Sequence, residues 1–214
     1  MKRLQGTRWF FMTLSAIAVF TALGPAEKTL GTNARLVYLH GAWVWASLAA
    51  FLTAGAAGLL GLTTRRETLH RWSRALGRTG LVFWITYLPI SLCAMQTNWN
   101  GLFLAEPRWR LAVVFAVSGL LLQIGLALVE RPGLASVANL VYLAALGLGL
   151  QTSQNVMHPP APMLQSDAPR IQFYFAGLVV LTLLAACHVA HWWHQFEHTD
   201  ARTSNYPSNS SPLR

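Results

Sequence analysis

Long apolar runs separated by short polar or basic stretches set the pattern of this chain. Six runs stand out, at about residues 9–24, 36–62, 79–95, 111–129, 134–151 and 171–193. They recur and approach the roughly 20 residues a helix needs to cross the hydrocarbon of a bilayer. The fold class they predict is all-α, a polytopic membrane protein with six transmembrane helices. The first and third runs are short for a span, so their ends are the least defined. Between the runs, "GPAEKTLGTNAR" is polar with a Gly-Pro turn, and "QTNWNGLFLAEPRWR" mixes tryptophan with leucine and phenylalanine, as an interfacial or ligand-lining segment does. "QTSQNVMHPPAPMLQSDAPR" carries four prolines and cannot be helical throughout. The expected organisation is one six-helix membrane domain over 1–198 and a polar, disordered tail over 199–214. A basic amino end before an apolar run also fits a signal peptide, whose removal would leave five spans.

Composition agrees: 54% of the 214 residues are hydrophobic and 11% charged, too apolar for an ordinary soluble domain. The formal net charge of +9 raises nucleic acid as a partner. The basic residues gather between the apolar runs, however, as topology signals do, so membrane lipid is the expected partner and nucleic acid is not. Sorted by side, Lys2, Arg3, Arg8, Arg65, Arg66, Arg71, Arg74, Arg78, Arg131, Arg202 and Arg214 lie on one face of the membrane. Lys28, Arg35, Arg108, Arg110 and Arg170 lie on the other. Both termini are therefore expected to be cytoplasmic, with the loops at 25–35, 96–110 and 152–170 facing the periplasmic side of a cell inner membrane. Cys93 and Cys187 form neither a CxxC nor a CxxCH motif and read as small buried apolar residues. No G-x-S-x-G, HExxH or P-loop pattern occurs, so the chain is not expected to be an enzyme. Acids inside the spans are nearly absent, which disfavours proton-coupled transport.

The seven histidines carry the candidate chemistry. His70 falls in the basic loop, where solvation explains it. His188, His191, His194 and His198 share one broad helix face and could bind a metal or haem edge, although "HVAHWWHQFEH" also reads as an interfacial aromatic belt. His40 and His158 differ. An even number of crossings separates them, so both stand on the same membrane face near helix ends, and two facing imidazoles can fill both axial positions of a haem iron.

The segment "GPAEKTLGTNARLVYLHGAWVWASLAAF" resembles the haem exporter protein C (CcmC-like) family of cytochrome c-type biogenesis. The residues carrying the resemblance are Gly24-Pro25-Ala26-Glu27, Gly31, Arg35, Tyr38, His40, Ala42-Trp43 and Ser47, with Asn155 and His158 in "NVMHPPAP" as a second match. The resemblance covers about residues 8–195. It implies that His40 and His158 are the axial ligands of a non-covalent haem b, held at the outer face beneath a tryptophan-rich loop. From there the haem passes to a membrane-anchored haem chaperone, with an ATP-driven transporter and a small single-span protein as companion subunits. Arg35, Tyr38, Trp43, Trp99, Trp109 and Arg110 are the implied pocket residues. Trp45 and Phe103 are further ring contacts and Arg108 a further propionate partner, while Glu27 and Glu106 would repel propionates. In "NWNGLFLAEPRWRL" the family's Trp-Asp pair is absent, and "TSQ" replaces its paired tryptophans, which removes stacking surface. Two other readings stand beside this one: a cytochrome b-like electron-transfer subunit, and a haem-free structural or transport subunit of a membrane complex.

Overall fold

The structure, a computed structural model, describes residues 2–129, 131–154, 156 and 162–204, with backbone alone for 2–5, 132 and 197–204. It is all-α. Six helices follow one another: α1 (Lys2–Ala22), α2 (Ala34–Thr64), α3 (Glu67–Trp99), α4 (Pro107–Val129), α5 (Pro132–Thr152) and α6 (Pro169–Ser204). The last five are long and apolar enough to cross a membrane, which makes this a multi-pass membrane protein. Large apolar side chains stand exposed along these helices, among them Leu121, Val141 and Phe173, as lipid-facing surfaces require. Cys93 and Cys187, expected to be buried, are also exposed.

The apolar runs locate the helices but understate two of them. α3 begins at Glu67, twelve residues before the apolar run at 79, and α6 continues to Ser204. The α3 extension, which carries Arg71, Trp72 and Arg74, reads from sequence as a basic loop, and α6, whose histidines share a helix face up to His198, runs on into the expected tail. They are helical because α3 and α6 pack on each other there: Trp72 stacks on His194 at 4.0 Å and 14°. Residues 205–214 of the expected tail lie outside the described residues.

The frame rests on α2. Ala34, Tyr38, Ala42, Ala46, Ala50, Ala54 and Gly58 recur every four residues, and all are buried. Small residues on one stripe let neighbouring backbones come close, the usual basis of helix packing in a bilayer. At that range hydroxyls reach across to main-chain carbonyls. Ser47 donates to the Gly80 carbonyl at 2.7 Å, Ser73 to Ala54 at 2.8 Å and Thr182 to Ala42 at 3.2 Å. Asn139 of α5 donates to the Ser73 carbonyl at 2.8 Å. His70 is not solvated as expected: its Nδ1 is hydrogen-bonded to Ser136 Oγ at 2.7 Å, tying α3 to α5.

A Cβ at Gly80 would lie 2.6 Å from Phe51 Cδ1, and nothing lies within 4 Å of one at Gly125. Gly80→Ala is expected to lower stability by about 1–3 kcal/mol through overpacking. Gly125→Ala should leave it unchanged or raise it by up to about 1 kcal/mol through helix propensity. Thermal unfolding of the two variants in one detergent, followed by circular dichroism, checks the contrast.

Candidate functional site

The connection from α1 to α2 is a built structure, and the residues that build it are those of the "GPAEKTLGTNARLVY" pattern. Glu27 and Gly31 exchange main-chain hydrogen bonds at 3.0 and 2.8 Å. The Glu27 carboxylate accepts from the amides of Thr29 and Leu30 at 2.7 and 2.8 Å. These amides, Leu30's first, hold its carboxyl below the usual glutamate range. The carboxylate's contribution to the turn is therefore present above that range and is lost as pH falls through the lowered value. Gly31 has φ +58°, which a side chain would strain. Arg35 Nε donates to the Gly24 carbonyl at 2.9 Å, and a Cβ on Gly24 would meet the Tyr174 hydroxyl at 2.9 Å. Tyr38 is fully buried, its ring 5.4 Å from that of Tyr174. Gly24, Glu27, Gly31, Arg35 and Tyr38 thus lock the loop and the start of α2 onto α6.

His40 faces elsewhere. Val37, His40, Gly41, Val44, Trp45 and Leu48 form a second stripe on α2, beside the small-residue seam, and this stripe walls a cavity of about 250 Å³. α3 supplies the opposite wall with Trp84, Tyr87, Met95 and Trp99. Glu106, Arg108 and Trp109 close it from the start of α4, with Leu150 from the end of α5 and Pro162, Met163 and Phe175 from the last connection and α6. The size is just below the range of about 300–1,000 Å³ usual for small-molecule sites, and the character is the same: mostly aromatic and aliphatic walls with a few converging polar groups. The His40 ring lies 5.4 Å from the Tyr87 ring. Trp84 is held in place by its indole N–H, which donates to the Ala112 carbonyl at 3.0 Å. Pro89 sits within α3, exposed and outside the cavity lining, and removes one rung of its hydrogen-bond ladder.

The polar groups have distinct settings. Glu106 Oε2 accepts from the Trp109 amide at 2.6 Å and so caps α4. A terminal nitrogen of Arg108 donates to the Leu150 carbonyl at 3.3 Å, while its Nε–H is buried with no hydrogen-bond partner. That leaves Arg108 a fixed cation with an unspent donor in the cavity wall, suited to a carboxylate.

Of the pocket residues read from the sequence, His40, Trp99 and Trp109 line the cavity, as do Trp45 and Arg108; Glu106, expected to stay away from a haem, lines it too. Arg35 and Tyr38 belong to the loop lock. Trp43 donates its indole N–H to Thr86 Oγ1 at 2.8 Å and packs on Phe83 at 5.0 Å, outside the cavity lining. Arg110 and Phe103 are exposed. Asn155 and His158 lie outside the described residues. Trp84, Tyr87, Met95 and Met163 were not singled out by sequence. The available signal was "FWITY" in α3, about three to four turns below Trp99 on the same helix. At the other end of the bundle, His191 accepts from the Gln195 amide nitrogen at 2.7 Å and His194 stacks on Trp72. Among the described residues, no group of three or more His, Cys, Asp or Glu could hold a metal ion.

No protein-family model matches the chain, and no curated protein is significantly similar to it.

Removing the cap by Glu106→Ala is expected to cost about 1 kcal/mol, whereas Glu106→Asp, which keeps an acceptor of a favoured capping type, should recover most of it. Thermal midpoints of the two variants in detergent, at fixed protein concentration, measure the difference.

Proposed function

We propose that this chain is a haem-handling membrane protein of cytochrome c maturation, which holds haem b non-covalently between His40 and His158 and presents it to a membrane-anchored haem chaperone. The observation that carries the proposal is the cavity itself. It sets one imidazole, His40, in a wall of tryptophan and tyrosine with an arginine donor at its edge. These residues fit the group: aromatic walls for the macrocycle, an imidazole for the iron, and Arg108 for a propionate. Bound there, haem would supply a redox-active iron, which His40 and His158 would hold.

Pro162 lines the cavity, His158 precedes it by four residues, and four residues reach at most about 14 Å. His158 itself lies outside the described residues, and its role as second ligand is carried by the resemblance. α1 completes a six-span layout, and its stacking of Phe20 on Tyr174 at 4.7 Å joins it to α6. In that layout the arginine-rich end faces the cytoplasm with both termini, and the cavity opens at the outer face of the inner membrane. An ATP-driven transporter and a small single-span subunit are the companions this reading implies.

The test is the visible spectrum of the detergent-purified protein, oxidised and reduced, after expression with haem supplied. A Soret band of bis-histidine character is expected, lost or shifted in His40→Ala and in His158→Ala and kept in Tyr38→Phe. Arg108→Leu should keep the band shape but weaken haem retention about 10- to 100-fold, the worth of a hydrogen bond to a charged group. A protein without a Soret band would point to the haem-free subunit instead. Two haems of unequal potential would point to the cytochrome b-like one.

A further inference from the structure

α4 is tied to α5 at a regular interval. The two helices run antiparallel. Arg108 donates to the Leu150 carbonyl at 3.3 Å, and the Tyr142 hydroxyl donates to the Phe115 carbonyl at 2.7 Å. On α4 the two ties stand about two helical turns apart, and two further turns lead to Gln123. There no direct bond is made: Gln123 Oε1 is buried and has no hydrogen-bond partner among the described residues. Its neighbours Leu121, Ile124 and Leu128 are exposed aliphatics, the surface of a helix in lipid. A polar side chain in that setting meets no bulk water and has to be satisfied inside the protein.

Gln123 lines a second, much smaller cleft, of about 10 Å³. That is at the lower limit of the roughly 10–15 Å³ needed to hold one water molecule. Phe51 of α2 and Leu81 of α3 give it apolar walls, and Asn139 and Tyr142 of α5 stand with Gln123 as its polar ones. Gly119, about one turn before Gln123, keeps it open: a Cβ there would lie 2.8 Å from the Tyr142 hydroxyl. Asn139 spends its amide nitrogen on the Ser73 carbonyl at 2.8 Å and the Ser73 hydroxyl at 3.1 Å, so its oxygen is the group left for the cleft. Tyr142 spends its hydroxyl hydrogen on Phe115, so its oxygen can only accept. The lining therefore calls for donors. It contains no acid, so a cation would enter it uncompensated.

We propose that this cleft binds one water molecule, which donates to Gln123 Oε1 and to Asn139 Oδ1 and so makes the third tie between α4 and α5. A water matches the room, brings two donors to two acceptors and carries no charge into hydrocarbon. The site lies apart from the cavity of His40 and shares no lining residue with it. It bears on that cavity through α4, whose first turn places Arg108 and Trp109 in the cavity wall. Three ties along one helix keep that wall in register with the rest of the bundle.

The experiment exposes the full chain, in detergent, to a radiolytic pulse that makes hydroxyl radicals from water, and mass spectrometry locates the modified residues. Phe51 and Tyr142, both buried, should be modified in the wild type through the bound water. In Gln123→Leu, which narrows the cleft and offers no acceptor, their modification should fall at least about fivefold, while Trp99 at the His40 cavity is modified equally in both proteins. Thermal unfolding gives a second reading. Gln123→Met, close in volume but without the amide, should lower the midpoint by about 2–4 °C, the shift expected for one lost hydrogen-bonded tie. In a dry cleft the same change would remove an orphaned oxygen and raise the midpoint. Background modification of Phe51 and Tyr142 in the wild type, unchanged modification in Gln123→Leu, or an unchanged or raised midpoint in Gln123→Met would each overturn the proposal. None of these readouts depends on haem.

Discussion

The close approach of α2 to its neighbours governs the rest of the structure. A stripe of alanine and glycine every four residues brings the α3, α5 and α6 backbones near enough for Ser47, Ser73 and Thr182 to bond carbonyls on facing helices. In hydrocarbon there is little hydrophobic gain from burying one apolar side chain against another, so this contact has to come from shape and from interhelical hydrogen bonds. The glycines of α3 serve the same end from the other side. Gly77 accommodates Asn139 and Gly80 accommodates Phe51. Once that seam is set, the neighbouring stripe of α2 has one place to face, and that is the cavity. His40 stands on that stripe, its ring 5.4 Å from the Tyr87 ring of α3.

This separates two roles within one run of sequence. Gly24, Glu27, Gly31, Arg35 and Tyr38 have structural explanations: a capped turn, a positive φ, a carbonyl tie and a buried ring against Tyr174. His40, two residues further on, is not part of that lock and stands with Trp99, Trp109 and Arg108 around a common space. The resemblance counted Arg35 and Tyr38 among the pocket residues. The fold instead makes those two part of the clamp that holds α2 still, and a rigid second turn of α2 is what an imidazole needs to present a fixed nitrogen.

The spans were legible in the sequence because bilayer thickness imposes length and apolarity together, and no soluble constraint does so. The extent of α3 and α6 was not. The turns carrying Arg71, Trp72 and Arg74 look like loop by composition, and they pack on His194 of α6 through a contact between segments more than a hundred residues apart. The same limit applies to the cavity. Trp99 and Trp109 could be guessed from their loop, but Trp84 and Tyr87 face it because Ser73, Gly77 and Gly80 fix the rotation of α3, and rotation is a property of the packed seam. His70 shows the limit in small: by charge context it belongs to solvent, and by packing it bonds Ser136.

The two ends of the bundle are built to different standards. At the arginine-rich end, α2 joins α3 through Arg65 and Arg66 alone, and α3 and α6 run on as paired helices. At the cavity end, non-helical chain lies between α3 and α4 and between α5 and α6, and residues from both connections reach the cavity. Irregular backbone leaves main-chain groups that hydrocarbon cannot satisfy, so it is stable only against protein or water. Such backbone beside a cavity is what the wet boundary of a membrane tolerates and its hydrocarbon interior does not. A ligand with an apolar body and charged edges suits such a boundary: its body can rest against Trp84 and Tyr87 while its edge meets Arg108. The arginine-rich end differs in that α3 and α6 are helical there and meet through the stacking of Trp72 on His194.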